Sequence, residues 1–225
     1  ANPNLSLSDV QIEVDATKLL TAEQEKTLGK AIATGNTACA GLLDTMRTIL
    51  SEQDTPQVRE FLAQARTLMP RNFVERIEEH SVDLALSEGS KHPETSDQSL
   101  LCFLADVAKK KIDLEAQFMT RNMERSDLLS ALVTLATMTE NRGIELAMEA
   151  APPAQRDVLE TRQTVVQRGN EACDHLWKAN LRLVVSIAKH YRFFGLPFEE
   201  CIAVGNLGLK RAAQKFDYSM GWKFS

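Results

Sequence analysis

Residues 180–225 read NLRLVVSIAKHYRFFGLPFEECIAVGNLGLKRAAQKFDYSMGWKFS. Leu181, Val184, Val185, Ile187 and Ala188 recur at helical spacing, which predicts an amphipathic helix with Arg182, Lys189 and Arg192 off its apolar face. Gly195-Leu196-Pro197 then makes a corner. Glycine suits the positive φ that closes a helix, and proline suits the start of the next one. Glu199 and Glu200 fall in that next first turn, where carboxylates favour the positive end of the helix dipole. The second helix turns Ile202, Leu207, Leu209 and Ala213 inward. Gly205 and Gly208 would each cost about 1 kcal/mol in an exposed helix, so their spacing predicts the close approach of another helix backbone. Beyond Phe216-Asp217-Tyr218 the chain turns at Gly221 and runs into Trp222-Lys223-Phe224-Ser225.

The remainder of the chain is acidic. Residues 171–225 hold eight Lys and Arg against five Asp and Glu, about +3, whereas the total is −5. The other residues therefore carry −8, with 18 basic against 26 acidic side chains. Any nucleic-acid contact is expected at the C-terminal end, because an acidic body repels phosphate. With 225 residues and 44% hydrophobic content the chain can bury one large helical core or two small ones. It shows no signal peptide and no apolar run of membrane-spanning length, and a cytoplasmic setting is expected. Cys39, Cys102, Cys173 and Cys201 are isolated and sit among apolar residues, as buried free thiols do. None forms a CxxC pair, so no zinc or redox motif is encoded and no cofactor is expected. His190 reads as solvated.

Upstream, Thr21 with Gln24 makes a capping box that opens a helix to about Thr34. Gly35-Asn36 is read as its end, with a second helix over about 37–50. Thr55-Pro56 opens a helix to about Met69, and Asn72 with Glu75 another to about Leu86. Gly89 to Glu94 is a loop. A long helix is expected from about Ser96 to Asn122, and another from Ser126 that Asn141-Arg142-Gly143 breaks. Lys109-Lys110-Lys111 reads as a solvated helix face. Pro152-Pro153 begins a long helix that could bend at Gly169-Asn170 and continue to Phe194. The fold class is all-α: a multi-helix domain whose long helix leads into an antiparallel helical hairpin.

The words NLRLVVSIAKHY, GLPF, GNLGLKRAAQKFDY and GWKFS resemble region 2 of the bacterial sigma-70 family of RNA polymerase initiation factors, gap-free from Asn180 to Ser225. LLTAEQEKTLGKAIATGN resembles the helix of that family's region 1.2. Residues 10–15 align with the family's YLREIG, an arginine being replaced by Ile12. The resemblance divides the chain into an N-terminal segment over 1–50, a variable helical insertion over 51–150 and a region 2 core over 151–225. The family runs on into TYATWW, so the chain reads as stopping before the promoter-melting helix.

The resemblance implies a transcription initiation factor that binds the β′ clamp helices of the RNA polymerase core and, at full length, recognises and melts the promoter minus-ten element. The implied core-binding positions are Glu200, Ile202, Ala203, Val204 and Asn206. Ala203-Val204 stand where the family has Gln-Glu, so docking is expected to be weaker or rebuilt with apolar contacts. The implied DNA-binding positions are Asn180, Leu183, Trp222, Lys223 and Ser225, facing the non-template strand. Trp222 keeps a stacking ring and Lys223 a phosphate partner, while Ser219-Met220 replace two arginines. Asn180 suits a cap or bridge in the helix packing equally well, and Leu183 a core position. The implied partners are the polymerase core, promoter DNA and a regulatory protein such as an anti-sigma factor, with no membrane. A different reading is a sigma-like regulator that binds a partner without melting promoters. No paired catalytic carboxylates, phosphate loop, metal-spaced cluster or nucleophile motif is present, so the chain does not read as an enzyme.

Overall fold

The computed structural model describes residues 19–69, 73–79, 82, 84, 86–120, 126–191, 195 and 197–224. The expectations for residues 1–18 (Ile12 among them), Asn72, Arg192 and Ser225 lie outside these. Every regular element described is helical. In chain order these are α1 (Ala22–Ser51), α2 (Pro56–Leu68), α3 (Phe73–Glu79), α4 (Asp97–Lys109), α5 (Lys111–Thr120), α6 (Ser126–Met138), α7 (Ile144–Ala150), α8 (Pro153–Ala179), α9 (Leu181–His190) and α10 (Phe198–Gln214).

The helix starts follow the sequence closely, because caps are local chemistry. Thr21 and Gln24 close a reciprocal box: the Thr21 N–H donates to Gln24 Oε1 at 2.8 Å and the Gln24 N–H to Thr21 Oγ1 at 3.3 Å. Thr55 accepts from the Val58 N–H at 3.3 Å and Ser96 from the Ser99 N–H at 3.1 Å. Helix interruptions are where expectation and structure part. α1 does not end at Gly35-Asn36 but runs unbroken to Ser51, and α8 passes Gly169-Asn170 without a break. Both glycines serve packing: a Cβ built on Gly35 would lie 2.7 Å from the Cα of Gly169. The break in the long C-terminal helix comes at Asn180, between α8 and α9. The expected helix over 96–122 is divided at Lys110, whose φ of −105° and ψ of 8° stop the α-helical ladder. The segment Thr139–Gly143 continues the helix as a π-helical turn and does not break it.

The chain forms two compact units, one of Ala1–Thr37 with Thr164–Ser225 and one of Ala38–Gln163. Residues 38–50 and 151–163, grouped by motif with the flanking segments, thus pack in the second unit. The first unit buries Ile32, Leu176, Trp177, Leu181, Val184, Ala188, Ile202, Leu209 and Ala213 as one cluster. Fully burying side chains of this size stabilises by roughly 1.5–3 kcal/mol each before the entropy of ordering them is subtracted.

The second unit packs α2, α4, α5, α6 and α7 around Phe61, Phe103, Leu104, Leu114, Leu132 and Leu135. Phe73 meets Phe103 edge-on, with ring centroids 5.6 Å apart. The Arg162 guanidinium donates to Gly41 O at 2.6 Å and to Thr45 Oγ1, and Arg156 donates to Met148 O at 3.1 Å near the end of α7. The lysine run is not simply solvated. Lys109 pairs with Asp44 at 2.7 Å, Lys111 with Glu140 at 2.6 Å and Lys110 with Asp113 at 3.9 Å.

Two substitutions separate packing glycines from idle ones. Gly169→Val forces a side chain against Gly35 and is expected to destabilise by about 1–3 kcal/mol. Gly208 has nothing within 4 Å of a built Cβ, so Gly208→Ala is expected to stabilise by about 0.5–1 kcal/mol. Chemical unfolding monitored by circular dichroism checks both, and a neutral Gly169→Val would contradict the close approach.

Candidate functional site

Gly195, at φ +85°, turns the chain between α9 and α10 as a residue without Cβ allows. Pro197 stands just outside α10 at φ −55° and ψ 140°, one position before the expected first turn. Glu199 and Glu200 occupy that first turn. Ile202, Asn206, Leu209 and Ala213 are spaced i, i+4, i+7 and i+11, and all four are buried. Glu200, Val204, Gly208 and Ala212, on the opposite stripe, are exposed.

This rotation of α10 sorts the sequence-derived docking positions. Glu200 is exposed, Val204 is 44% exposed and Ala203 is partly buried. Ile202 and Asn206 are only 1% exposed and are not surface positions. Ile202 belongs to the core cluster beside Leu209 and Ala213. Asn206 shares its stripe, and both polar atoms of its amide are buried without a hydrogen-bond partner. An unsatisfied buried polar group costs about 1–3 kcal/mol, so packing on both sides of Asn206 offsets that cost. The expectation of a second close helix at Gly205 and Gly208 is met by a side chain only. A Cβ on Gly205 would lie 2.7 Å from Val184 Cγ1, whereas Gly208 faces open space.

The presumptive DNA positions divide similarly. Asn180 is buried, and its Nδ2 donates to Leu176 O at 2.8 Å, which is the cap-or-bridge role. The same bond takes a carbonyl of α8 out of the helical ladder at the α8–α9 break. Leu183 is exposed and is therefore no core residue. Ile187, expected on the apolar inner face, is exposed as well, together with Tyr191. Leu181, Val184 and Ala188 take the core side of α9, which leaves 183, 187 and 191 as a separate row four residues apart. Arg182 and Lys189 are exposed beside it. Sequence reasoning missed this row, although its i, i+4, i+8 spacing is visible once one helical face is assigned to the core.

The C-terminal segment is ordered by short-range bonds. Asp217 accepts from the Ser219 N–H at 2.9 Å and from Ser219 Oγ at 2.6 Å, capping the turn Tyr218–Met220. Gly221 follows at φ +73°, and Trp222 is 75% exposed with Lys223 exposed beside it. Phe224 packs edge-on against Phe216 at 5.3 Å. Three residues of α1 that sequence reasoning did not single out as functional, Glu25, Gly29 and Asn36, touch this segment or the end of α10.

Chemistry of the catalytic kind finds little to work with. The open groove of about 730 Å³ in the second unit is lined by Glu140, Glu145, Glu149 and Arg156, among others. Two of its acids are engaged structurally, Glu140 with Lys111 and Glu145 with Arg142 at 2.7 Å. Among the described residues no group of three His, Cys, Asp or Glu is placed to hold a metal, and no helix is long and apolar enough to cross a membrane. Burial, with Glu140 nearby, pushes the Cys39 thiol up to about 11, and burial with Asp174 nearby does the same for Cys173. Both are therefore poor nucleophiles near neutral pH. Cys173 is buried, whereas Cys39, Cys102 and Cys201 are only partly so.

Residues 176–225 match the family described as Sigma-70 region 2. The chain is 42% identical over 120 residues to RNA polymerase principal sigma factor HrdC of Streptomyces coelicolor, covering 50% of this chain and 35% of that protein. It is 42% identical over 85 residues to RNA polymerase sigma factor SigA4 of Synechococcus elongatus, covering 38% and 27% of the two chains. To SigA1 of the same organism it is 57% identical over 58 residues, 26% of this chain and 14% of that one. The chain thus spans about a third or less of the length of these relatives.

The Asp217 cap gives a pH test of the segment. The Ser219 hydroxyl and then its N–H hold the Asp217 carboxyl below its ordinary value of 3.8. A depressed carboxylate pKa contributes order that is present above the unfolded value and is lost as pH falls through the folded value. The Ser219 amide resonance is expected to titrate with a midpoint below 3.8, and Asp217→Ala to abolish the transition. A midpoint at or above 3.8 would contradict the cap.

Proposed function

We propose, on the premise that residues 176–225 are a region 2 of the sigma-70 family, that this chain belongs to a transcription initiation sigma factor and supplies its polymerase-docking and promoter-facing surfaces. The observation that carries the reading is the rotation of α10, which leaves Glu200 and Val204 outward on the helix whose family counterpart docks. In this reading the exposed stripe of α10 meets the β′ clamp helices of the core enzyme. Glu200 supplies a carboxylate for a basic partner residue, and Val204 replaces a second charged contact with an apolar one. Ala203 lines the edge of the contact. Ile202 and Asn206 act from behind, by fixing the rotation of the helix.

The nucleic-acid surface in this reading combines two features. The row Leu183, Ile187 and Tyr191, flanked by Arg182 and Lys189, offers apolar faces beside cations, as single-stranded nucleic acid requires. Trp222 offers a ring for stacking and Lys223 a charge for phosphate, on the non-template strand of the minus-ten element. Asn180, whose amide N–H is committed to Leu176 O, holds the helix junction beneath Leu183.

The substitution of Ala203-Val204 for the family's Gln-Glu pair favours a second reading, in which the same fold serves a regulator with altered polymerase affinity. Equilibrium binding of the labelled chain to core RNA polymerase separates the two. Glu200→Arg reverses a charge in the contact and is expected to weaken binding at least tenfold, consistent with the roughly 2 kcal/mol or more that an interfacial charge pair can carry. Val204→Glu restores a carboxylate and is expected to tighten binding. Failure of the parent chain to bind core at micromolar concentration would favour the second reading.

A further inference from the structure

α1 presents one face to the C-terminal segment. The positions are Glu25, Gly29, Ile32 and Asn36, spaced i, i+4, i+7 and i+11. Glu25 is only 3% exposed, unusual for a carboxylate, and its Oε2 accepts the backbone N–H of Phe224 at 3.0 Å across 199 residues of sequence. One turn on, a Cβ at Gly29 would lie 2.8 Å from Tyr218 Cβ and 2.9 Å from Phe216 Cδ1. Ile32 lies in the core cluster that Phe216 and Phe224 pack against. Asn36 Nδ2 donates to Gln214 O at 3.0 Å, at the end of α10. The bonds made along this face go to backbone atoms and to rings that lie inward, while the adjacent Trp222 and Lys223 remain exposed.

We propose that Glu25 and Gly29 are positioning residues for the nucleic-acid surface: they hold the Trp222–Lys223 segment in its binding shape before DNA arrives and act without touching DNA themselves. The proposal rests on the functional reading above and adds to it the source of preorganisation. A surface segment held only by the Asp217 turn and by the ring contact of Phe224 with Phe216 loses binding free energy to ordering. Its apparent affinity falls by the fraction of time that it spends in the competent shape. Glu25 adds a hold at the backbone of Phe224. Gly29 leaves room for Phe216 and Tyr218 to seat against α1.

The test pairs a local readout with binding. Hydrogen exchange of the Phe224 amide is followed in the whole chain, together with binding of a short single-stranded oligonucleotide carrying a minus-ten element. Glu25→Ala is expected to lose protection of that amide and to weaken oligonucleotide binding roughly three- to tenfold. The sign is informative, because removing a negative charge should by itself strengthen binding to phosphate. Glu25→Gln, which removes the same charge but keeps an acceptor oxygen, is expected to retain most of the protection and affinity. Gly29→Ala, which leaves Glu25 intact, is expected to reduce both. Thermal unfolding of each variant is recorded, so that a general loss of fold is separated from a loosened segment. Loss of amide protection with unchanged affinity would overturn the proposal, as would weakened binding by Glu25→Ala with Phe224 still protected. Absence of oligonucleotide binding by the parent chain would overturn the functional reading, while the exchange data would still report whether Glu25 holds the segment.

Discussion

The rotation of α10 about its own axis is the constraint from which the functional surfaces follow. Ile202, Leu209 and Ala213 are driven inward with Trp177, Leu181 and Val184, and no other rotation buries all three. Asn206 is carried inward with them at a cost in unmet hydrogen bonds. Once that face is fixed, Glu200, Val204, Gly208 and Ala212 must face out. The exposed stripe of α10 is thus the complement of the core and needs no further instruction from the sequence.

The same logic applies on α9 and at the end of the chain. Leu181, Val184 and Ala188 set the buried face of α9, so Leu183, Ile187 and Tyr191 become an exposed row. α1 supplies a face for the segment over residues 214–224 through Glu25, Gly29 and Asn36. α1 therefore acts in this chain as a floor for the segment over residues 216–224. Acidic residues dominate elsewhere, and Glu140 and Glu145 on the groove of the second unit are drawn into pairs with Lys111 and Arg142.

Local chemistry was legible in the sequence, and long-range chemistry was not. The Thr21–Gln24 box, the Thr55 cap and the positive φ of Gly195 were readable because each involves residues within one turn. Gly35 was read as a helix end and Gly169 as a bend, since a glycine marks either an interruption or a close approach and only the partner tells which. At the break the Asn180 side chain donates to Leu176 O while its backbone N–H donates to Trp177 O, which an asparagine in an otherwise regular pattern does not announce. For the candidate site, the resemblance put Ile202 and Asn206 among surface positions, whereas the core claims both. The contact of Glu25 with Phe224 was invisible because the two lie 199 residues apart.

A photo-crosslinking amino acid placed at Val204, and separately at Lys189, in the presence of core RNA polymerase tests the central claim most directly. Both positions are exposed, and they lie on different helices of the same hairpin. The account predicts a crosslink from Val204 to the β′ subunit and none of comparable yield from Lys189, which should instead capture a single-stranded minus-ten oligonucleotide. A β′ crosslink from Lys189 with none from Val204 would contradict it, because the outward face of α10 would then not be the surface that meets the polymerase.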